Sequence, residues 1–253
     1  MWKSFAKINW ALRITGRRAD GFHDLETVFQ TISLHDELTF RDADRLTLTC
    51  DDPSIPTDDT NLILRAAHAV SAPPSAIELR KRIPAGGGLG GGSSNAATTL
   101  LAFGTGRSDL AQLALGLGSD VPFFLMGGTA YATGRGEVLT PMPPMAGVPL
   151  LLLLPEERVL TKDAFARVTT YSDALGMDAY RDFANFTNDF EAPVFAMLPR
   201  LRTLKERLIA SGAKWAGMSG SGSTIVGAFD DAAARDRAAA MFAGVRAERA
   251  ETI

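Results

Sequence analysis

The chain has 253 residues, 46% hydrophobic and 22% charged, with a formal net charge of -3 and a single cysteine. This is the make-up of a globular protein with material for one large or two small cores, and it excludes disordered, collagen-like and disulfide-stapled classes. The charge balance gives no general pull toward nucleic acid or anionic membrane, and the lone Cys50 can form neither an internal disulfide nor a thiolate cluster, so the cytoplasm is the expected setting.

The opening MWKSFAKINWALRITG lacks an apolar run of signal-peptide length, and VPLLLLLP at 148–155 is far below the roughly 20 residues of a spanning helix. Residues 5–14, FAKINWALRI, place Ala6, Ile8, Trp10, Leu12 and Ile14 on one face and Lys7 and Asn9 on the other, the period-two pattern of a half-buried strand. TGRRADG at 15–21 reads as a turn, followed by strands in LETVFQTISL (25–34), DELTFR (36–41) and RLTLT (45–49). Helical spacing covers 61–71 with Asn61 as its cap, and AIELRKRIP at 76–84 reads as a short strand. Helices are expected at 94–103 and 108–117.

PMPPMAGVP at 141–149 carries four prolines, which suits a connection between domains at 1–146 and 147–253. Beyond it the pattern predicts a buried strand at 150–154 and helices near 162–170, 189–197 and 199–211. A strand, a glycine turn and a strand follow over 214–229, then a helix at 230–243.

Between the strand at 76–84 and the next helix lie six glycines in the seven positions 86–92. Glycine lets backbone N–H groups approach an anion closely, and a helix starting just after such a loop adds unpaired donors and roughly half a positive charge. Pro84, Ala85, Gly86, Gly87, Gly88, Leu89, Gly90, Gly91, Gly92, Ser93 and Ser94 are therefore expected to wrap phosphates. Ser93 and Ser94 would add hydroxyl donors, with the helix beginning near Asn95. The plainer reading is a loop that merely packs tightly. No Lys follows the glycines, so a P-loop is excluded; G-x-G-x-x-G is satisfied only trivially, and no acidic residue stands where a ribose partner should.

LGSDVPFFLMGG at 117–128 puts Asp120 at a helix-to-strand junction among apolar neighbours, where a carboxylate can take a proton from an alcohol. On its own Asp120 is equally a helix-end residue, and Lys7 equally a solvated strand lysine. DGFHD at 20–24 sets Phe22 beside His23 in a turn, a pair suited to stacking on a flat heterocycle and bonding its edge. His35 and His68 stand apart from any cluster at ligand spacing, so no zinc site is expected.

PAGGGLGGGSSNAA together with AKINWAL, TGRRADGFHDLETVFQ, TNLI, LGSDVPFFLMGG and MSGSGSTIVGAF, in that order and across nearly the whole chain, resembles the GHMP kinases. The resemblance implies a two-domain α+β fold, the N-terminal domain like domain 2 of ribosomal protein S5 and the C-terminal domain ferredoxin-like. It implies ATP as phosphoryl donor and Mg²⁺ as its metal, whose protein ligands the resemblance leaves open between Asp120 and Ser94. AKIN and RRADGFH narrow the acceptor to a cytidine diphosphate-linked methylerythritol. Asp120 would then be the catalytic base and Lys7 its electrostatic partner. Asn9 and Thr161 would lie near the acceptor, Asn61 near the ATP base, and Ser219 to Gly222 would close the site. His23 would bond the cytosine edge while Phe22 and Phe165 sandwich its ring. The family's Gly-Tyr-His is Gly21-Phe22-His23 here, which keeps a ring and loses a hydroxyl, and PEERVLT at 155–161 is more charged than the family's turn. Competing readings are a kinase of the same family acting on homoserine, mevalonate or a sugar, a nucleotide-binding regulator without catalysis, and an S5-like RNA-binding module. The oligomeric state is not legible.

Overall fold

The computed structural model describes residues 1–253. The chain forms two compact units, each discontinuous in sequence: the first is 1–6, 34–85 and 90–127, the second 7–33, 86–89 and 128–253. Two long strands, β1 (Trp2–Arg17) and β2 (His23–Asp42), contribute residues to both. The units therefore do not follow the linear halves 1–146 and 147–253. Leu12 and Ile14 of β1 lie in the same core as Leu151 and Leu153, so side-chain burial assigns this part of β1 to the second unit.

In the first unit β3 (Thr47–Cys50) runs parallel to β4 (Ser75–Arg80), which pairs antiparallel with the end of β2 from Glu37↔Arg80 to Asp42↔Ser75. Ile63, Leu64 and Ala67 of α1 (Leu62–Ala69) pack on Leu38, Leu48, Ile77 and Leu79 of those strands. The other side of α1 meets α2 (Gly91–Phe103), α3 (Leu110–Leu117) and α4 (Val121–Met126) through Ala66, Val70, Ala96, Ala97, Leu100, Ala114 and Val121. Alanines dominate this seam, so the helix backbones approach closely and α2 is buried on most of its circumference.

The second unit holds an antiparallel sheet of order β10-β7-β9-β8, built from β7 (Pro149–Leu154), β8 (Trp215–Met218), β9 (Ile225–Ala228) and β10 (Arg246–Glu251). Between β7 and β8 lie α5 (Thr161–Phe165), two 3₁₀ turns at Met177–Arg181 and Phe183–Asn185, α6 (Glu191–Met197) and α7 (Pro199–Ala210), while α8 (Ala232–Ala239) joins β9 to β10. This βαββαβ order is the ferredoxin-like arrangement. Leu150 to Leu154 are all buried, which is why β7 is a continuous apolar run rather than an alternating one. The start of β2 pairs with β5 (Thr129–Thr133), and β5 with β6 (Val138–Pro141).

Several elements differ from the sequence expectation. Residues 25–34 and 36–41 form one strand, because nothing at His35 breaks the pairing. The chain is buried on both faces from Ala6 to Leu12, so Lys7 and Asn9 do not face solvent. The glycine helix starts at Gly91, before Asn95, and Asp120 precedes a short helix rather than a strand. β5, β6 and β10 were not expected. RAERAE carries only two alanines for the sheet, and its charged residues mask an edge strand.

Candidate active site

In the first unit, helix α2 begins after Gly90, whose φ of +71° turns the chain left-handed into the first turn. No side chain caps α2 and no acidic residue stands in its first turn, so the partial positive charge of its leading N–H groups is not offset there. Gly91 is closely packed: a Cβ would lie 3.0 Å from the Lys81 Nζ and 3.0 Å from Ile83 Cγ2. Ser94 is buried. Its hydroxyl bonds to the Phe5 carbonyl at 2.6 Å and to Ser4 Oγ at 2.7 Å, so its proton is directed inward rather than to a phosphate. Ser93, one position earlier, is half-buried.

Asp120 occupies the cap position of α4 with φ -82° and ψ -16°, and its carboxylate makes no capping bond to that helix. The next residue, Val121, is fully buried against Ala96, Ala97 and Leu100 of α2. Asp120 is thereby held at a fixed place beside the helix that follows the glycine loop. Asn61 caps α1 as expected, accepting from Ile63 N at 2.9 Å and donating to the Pro56 carbonyl at 2.6 Å. Leu62 beside it approaches Gly92, with Cδ1 3.7 Å from where a Cβ would stand.

The second unit assembles the other half of the expected residues. Lys7 is 4% exposed and Asn9 2%. The Lys7 ammonium donates to Asn9 Oδ1 at 2.6 Å and lies 5.1 Å over the Phe29 ring; Asn9 Nδ2 donates to Thr27 Oγ1 at 2.8 Å, and Thr27 to the Ala11 carbonyl at 2.5 Å. The relay fixes the Asn9 amide with its oxygen toward Lys7. Lys7 N–H also donates to the Leu89 carbonyl at 3.0 Å, which ties β1 to the glycine loop. On the loop's other side, Ser219 Oγ donates to the Gly88 carbonyl at 2.9 Å and Thr224 N–H to that of Gly87 at 3.4 Å. Asn188 Nδ2 in turn donates to the carbonyls of Met218 at 2.7 Å and Gly220 at 2.8 Å.

His23 and Phe165 come together, stacked with ring centroids 4.6 Å apart and planes 14° from parallel. Burial, and secondarily the charge of Arg17, hold the His23 imidazole below its ordinary value, so it is neutral at pH 7. Phe22 stands apart, half exposed with the Arg135 guanidinium 4.7 Å from its ring centre. The structure thus presents a stacked imidazole and phenyl rather than a slot between two phenyl rings. Thr161 meets the second glycine turn through Ser221, Oγ1 to Oγ 3.0 Å.

Thr27 and Asn188 were not anticipated from sequence, whereas Ser221 belongs to the expected turn Ser219 to Gly222. Thr27 lies within β2, and its partners Asn9 and Ala11 belong to the preceding strand, so no local spacing marks it. Asn188 has a legible sign in its Asx turn, where Oδ1 accepts from Phe190 N at 2.9 Å just before α6.

Residues 61–128 match the description "GHMP kinases N terminal domain" and residues 174–245 match "GHMP kinases C terminal". A 4-diphosphocytidyl-2-C-methyl-D-erythritol kinase of Chlorobium phaeobacteroides (strain BS1) is 41% identical over 95% of this chain and 92% of its own length. The crystal structure of a 4-(cytidine 5'-diphospho)-2C-methyl-D-erythritol kinase superposes with a TM-score of 0.87 at 35% identity, covering 99% of this chain and 98% of that one. A mevalonate kinase of Methanococcus jannaschii, 14% identical with a TM-score of 0.72 over 100% of this chain and 98% of its own, shares the fold alone.

Proposed function

The chain belongs to the GHMP kinases and, within them, to the 4-diphosphocytidyl-2-C-methyl-D-erythritol kinases, and we propose accordingly that it transfers the γ-phosphoryl group of ATP to the 2-hydroxyl of that cytidylated methylerythritol, a step toward isoprenoid precursors. The observation that carries this reading is the buried Lys7, whose ammonium is fixed on Asn9 while its N–H holds Leu89 of the glycine loop. A buried cation beside the glycine loop suits a reaction in which negative charge moves between phosphates.

In the proposed reaction the hydroxyl oxygen attacks the γ-phosphorus as the bond to the β,γ-bridging oxygen breaks, ADP leaves, and the hydroxyl proton passes to the Asp120 carboxylate. Such transfers need little covalent help from the protein, and positioning with charge neutralisation does most of the work. The amides of residues 84–94 and the start of α2 would take the triphosphate. Lys7 would neutralise charge at the reacting centre, and Asn9 would orient the acceptor. His23 is read as the group that bonds the cytosine edge, with Phe165 and Phe22 supplying stacking surface and Thr161 a nearby hydroxyl. Asn61 is read as lying by the ATP base.

Mg²⁺, when bound, would spread the developing charge on the β- and γ-phosphates. No group of three or more His, Cys, Asp or Glu side chains could hold a metal, which fits an ion carried mainly by phosphate and water with one or two carboxylates. Asp120 is the proposed protein ligand; Ser94 is not, because its hydroxyl is taken up by Ser4 and Phe5.

The matched segments 61–128 and 174–245 lie on either side of residue 146, so 1–146 is proposed as the ATP-binding half and 147–253 as the C-terminal half. No helix is long and apolar enough to cross a membrane, and a cytoplasmic location belongs to the proposal.

The test is ADP release with purified chain and ATP, offered the cytidylated methylerythritol, mevalonate or homoserine in parallel. Turnover with the first alone is expected. Turnover with either of the others at a comparable kcat/KM would replace this assignment by another acceptor of the same family.

A further inference from the structure

We propose that Asp36 is the positioning residue of the phosphate-binding loop: one buried carboxylate grips the chain where it enters residues 84–94 and again where it leaves them. This rests on the reading of that loop as the nucleotide's phosphate site. Asp36 is 0% exposed, in the part of β2 that belongs to the first unit. Its Oδ1 accepts from Arg82 N at 2.7 Å and Ile83 N at 2.8 Å, the last two N–H groups before Pro84. Its Oδ2 accepts from the Lys81 ammonium at 2.6 Å and from Asn95 Nδ2 at 3.0 Å, the first residue after Ser94.

The contact at the exit continues inward. Asn95 Nδ2 also donates to Ser4 Oγ at 2.9 Å, Ser4 and Ser94 share a hydroxyl bond at 2.7 Å, and Ser94 donates to the Phe5 carbonyl at 2.6 Å. Lys81 is 7% exposed, and its ammonium lies 3.0 Å from where a Cβ on Gly91 would stand, against the first turn of α2.

The physical need follows from the sequence. Six glycines in seven residues have more conformational freedom to lose than any other composition, and a ligand that must order them binds weakly. Fixing the two ends of the segment removes part of that freedom beforehand, the part that loop closure would cost. A carboxylate suits the task because two oxygens must serve four donors. An amide of the same shape would leave two of them unpaired and would also lose the charge that meets Lys81.

Asp36→Asn tests this by equilibrium titration with a fluorescent ADP analogue, by steady-state KM for each substrate, and by amide hydrogen exchange over 84–94. Loss of two acceptor bonds at the loop ends is expected to raise the ADP-analogue Kd and the KM for ATP about tenfold or more, while the acceptor KM stays within about twofold. Exchange in 84–94 should speed up in the nucleotide-free variant. Asn95→Ala cuts the exit contact, together with the bond to Ser4, while leaving the entry contacts, and should give a smaller change of the same kind, about threefold; it carries the test should Asp36→Asn not fold. Unchanged nucleotide binding in the folded variants, or an equal rise in both KM values, would overturn the proposal. A parent chain that binds no ADP analogue, or one in which the analogue protects residues other than 84–94, would instead overturn the reading on which it rests.

Discussion

Ser219 donates its hydroxyl to the carbonyl of Gly88 at 2.9 Å, and the Ser219 carbonyl oxygen stands 2.0 Å from where a Cβ on Gly88 would be. The two glycine turns that the sequence separates by some 130 residues thus touch backbone to backbone within one unit.

Gly88 has a φ of +78° and Gly86 one of +71°, yet only Gly88 faces backbone where a side chain would go. Gly86→Ala should therefore cost only the left-handed strain, about 1–2 kcal/mol in urea unfolding. Gly88→Ala adds a collision with backbone and should cost more than that, together with a loss of nucleotide binding. Equal effects from the two substitutions would contradict the contact.

Glu26 holds the segment after α5 in place. Its buried carboxylate accepts from the hydroxyls of Tyr180 at 2.6 Å and Tyr131 at 2.7 Å, and from Leu175 N at 3.0 Å and Gly176 N at 2.9 Å. Burial pushes Glu26 upward, but these bonds, that from Tyr180 foremost, outweigh it and hold it below its ordinary 4.5. Burial, and after it the bond to the same carboxylate, raises both tyrosines. A carboxylate depressed on folding stabilises above its unfolded value and loses that contribution as pH falls through its folded value. Glu26→Gln should thus lie furthest below the parent in urea stability near pH 7, and the gap should narrow below about pH 4.5. A gap independent of pH would show that Glu26 acts through packing alone. Tyr180→Phe, which removes one donor, should cost about 1–3 kcal/mol at pH 7.

His23→Ala should raise the acceptor KM about tenfold while leaving the ATP KM within about twofold, because on the proposed reading it removes the bond to the cytosine edge, along with the ring that stacks on Phe165. An effect confined to ATP would move His23 away from the acceptor.

Much of this was legible because the chemistry is local. The glycine run, the Asn61 cap, the alternation that pairs Lys7 with Asn9 and the leucine run of β7 each need only neighbouring residues to be read. The order of separated motifs carried the family. What stayed hidden depends on partners distant in the chain. Asp36 bonds residues 46 and 59 positions away, and Glu26 bonds Leu175 and Gly176, 149 and 150 positions away. In sequence both look like ordinary charges on an exposed strand face. Lys7 misled in the opposite sense: period two predicts a solvated face, but β1 is covered on both sides. The short helix after Asp120 was lost because Val-Pro-Phe-Phe reads as strand, whereas proline at the second position of a helix is well tolerated.

The account turns on the carboxylate at position 120, and single-turnover phosphoryl transfer with Asp120→Asn, set beside its ADP-analogue Kd, tests it most directly. A fall of at least about 10²-fold in the transfer rate, larger than any rise in the Kd from a lost Mg²⁺ contact, is the predicted result for a residue that takes the proton. A variant that transfers phosphoryl at the parent's rate would contradict it.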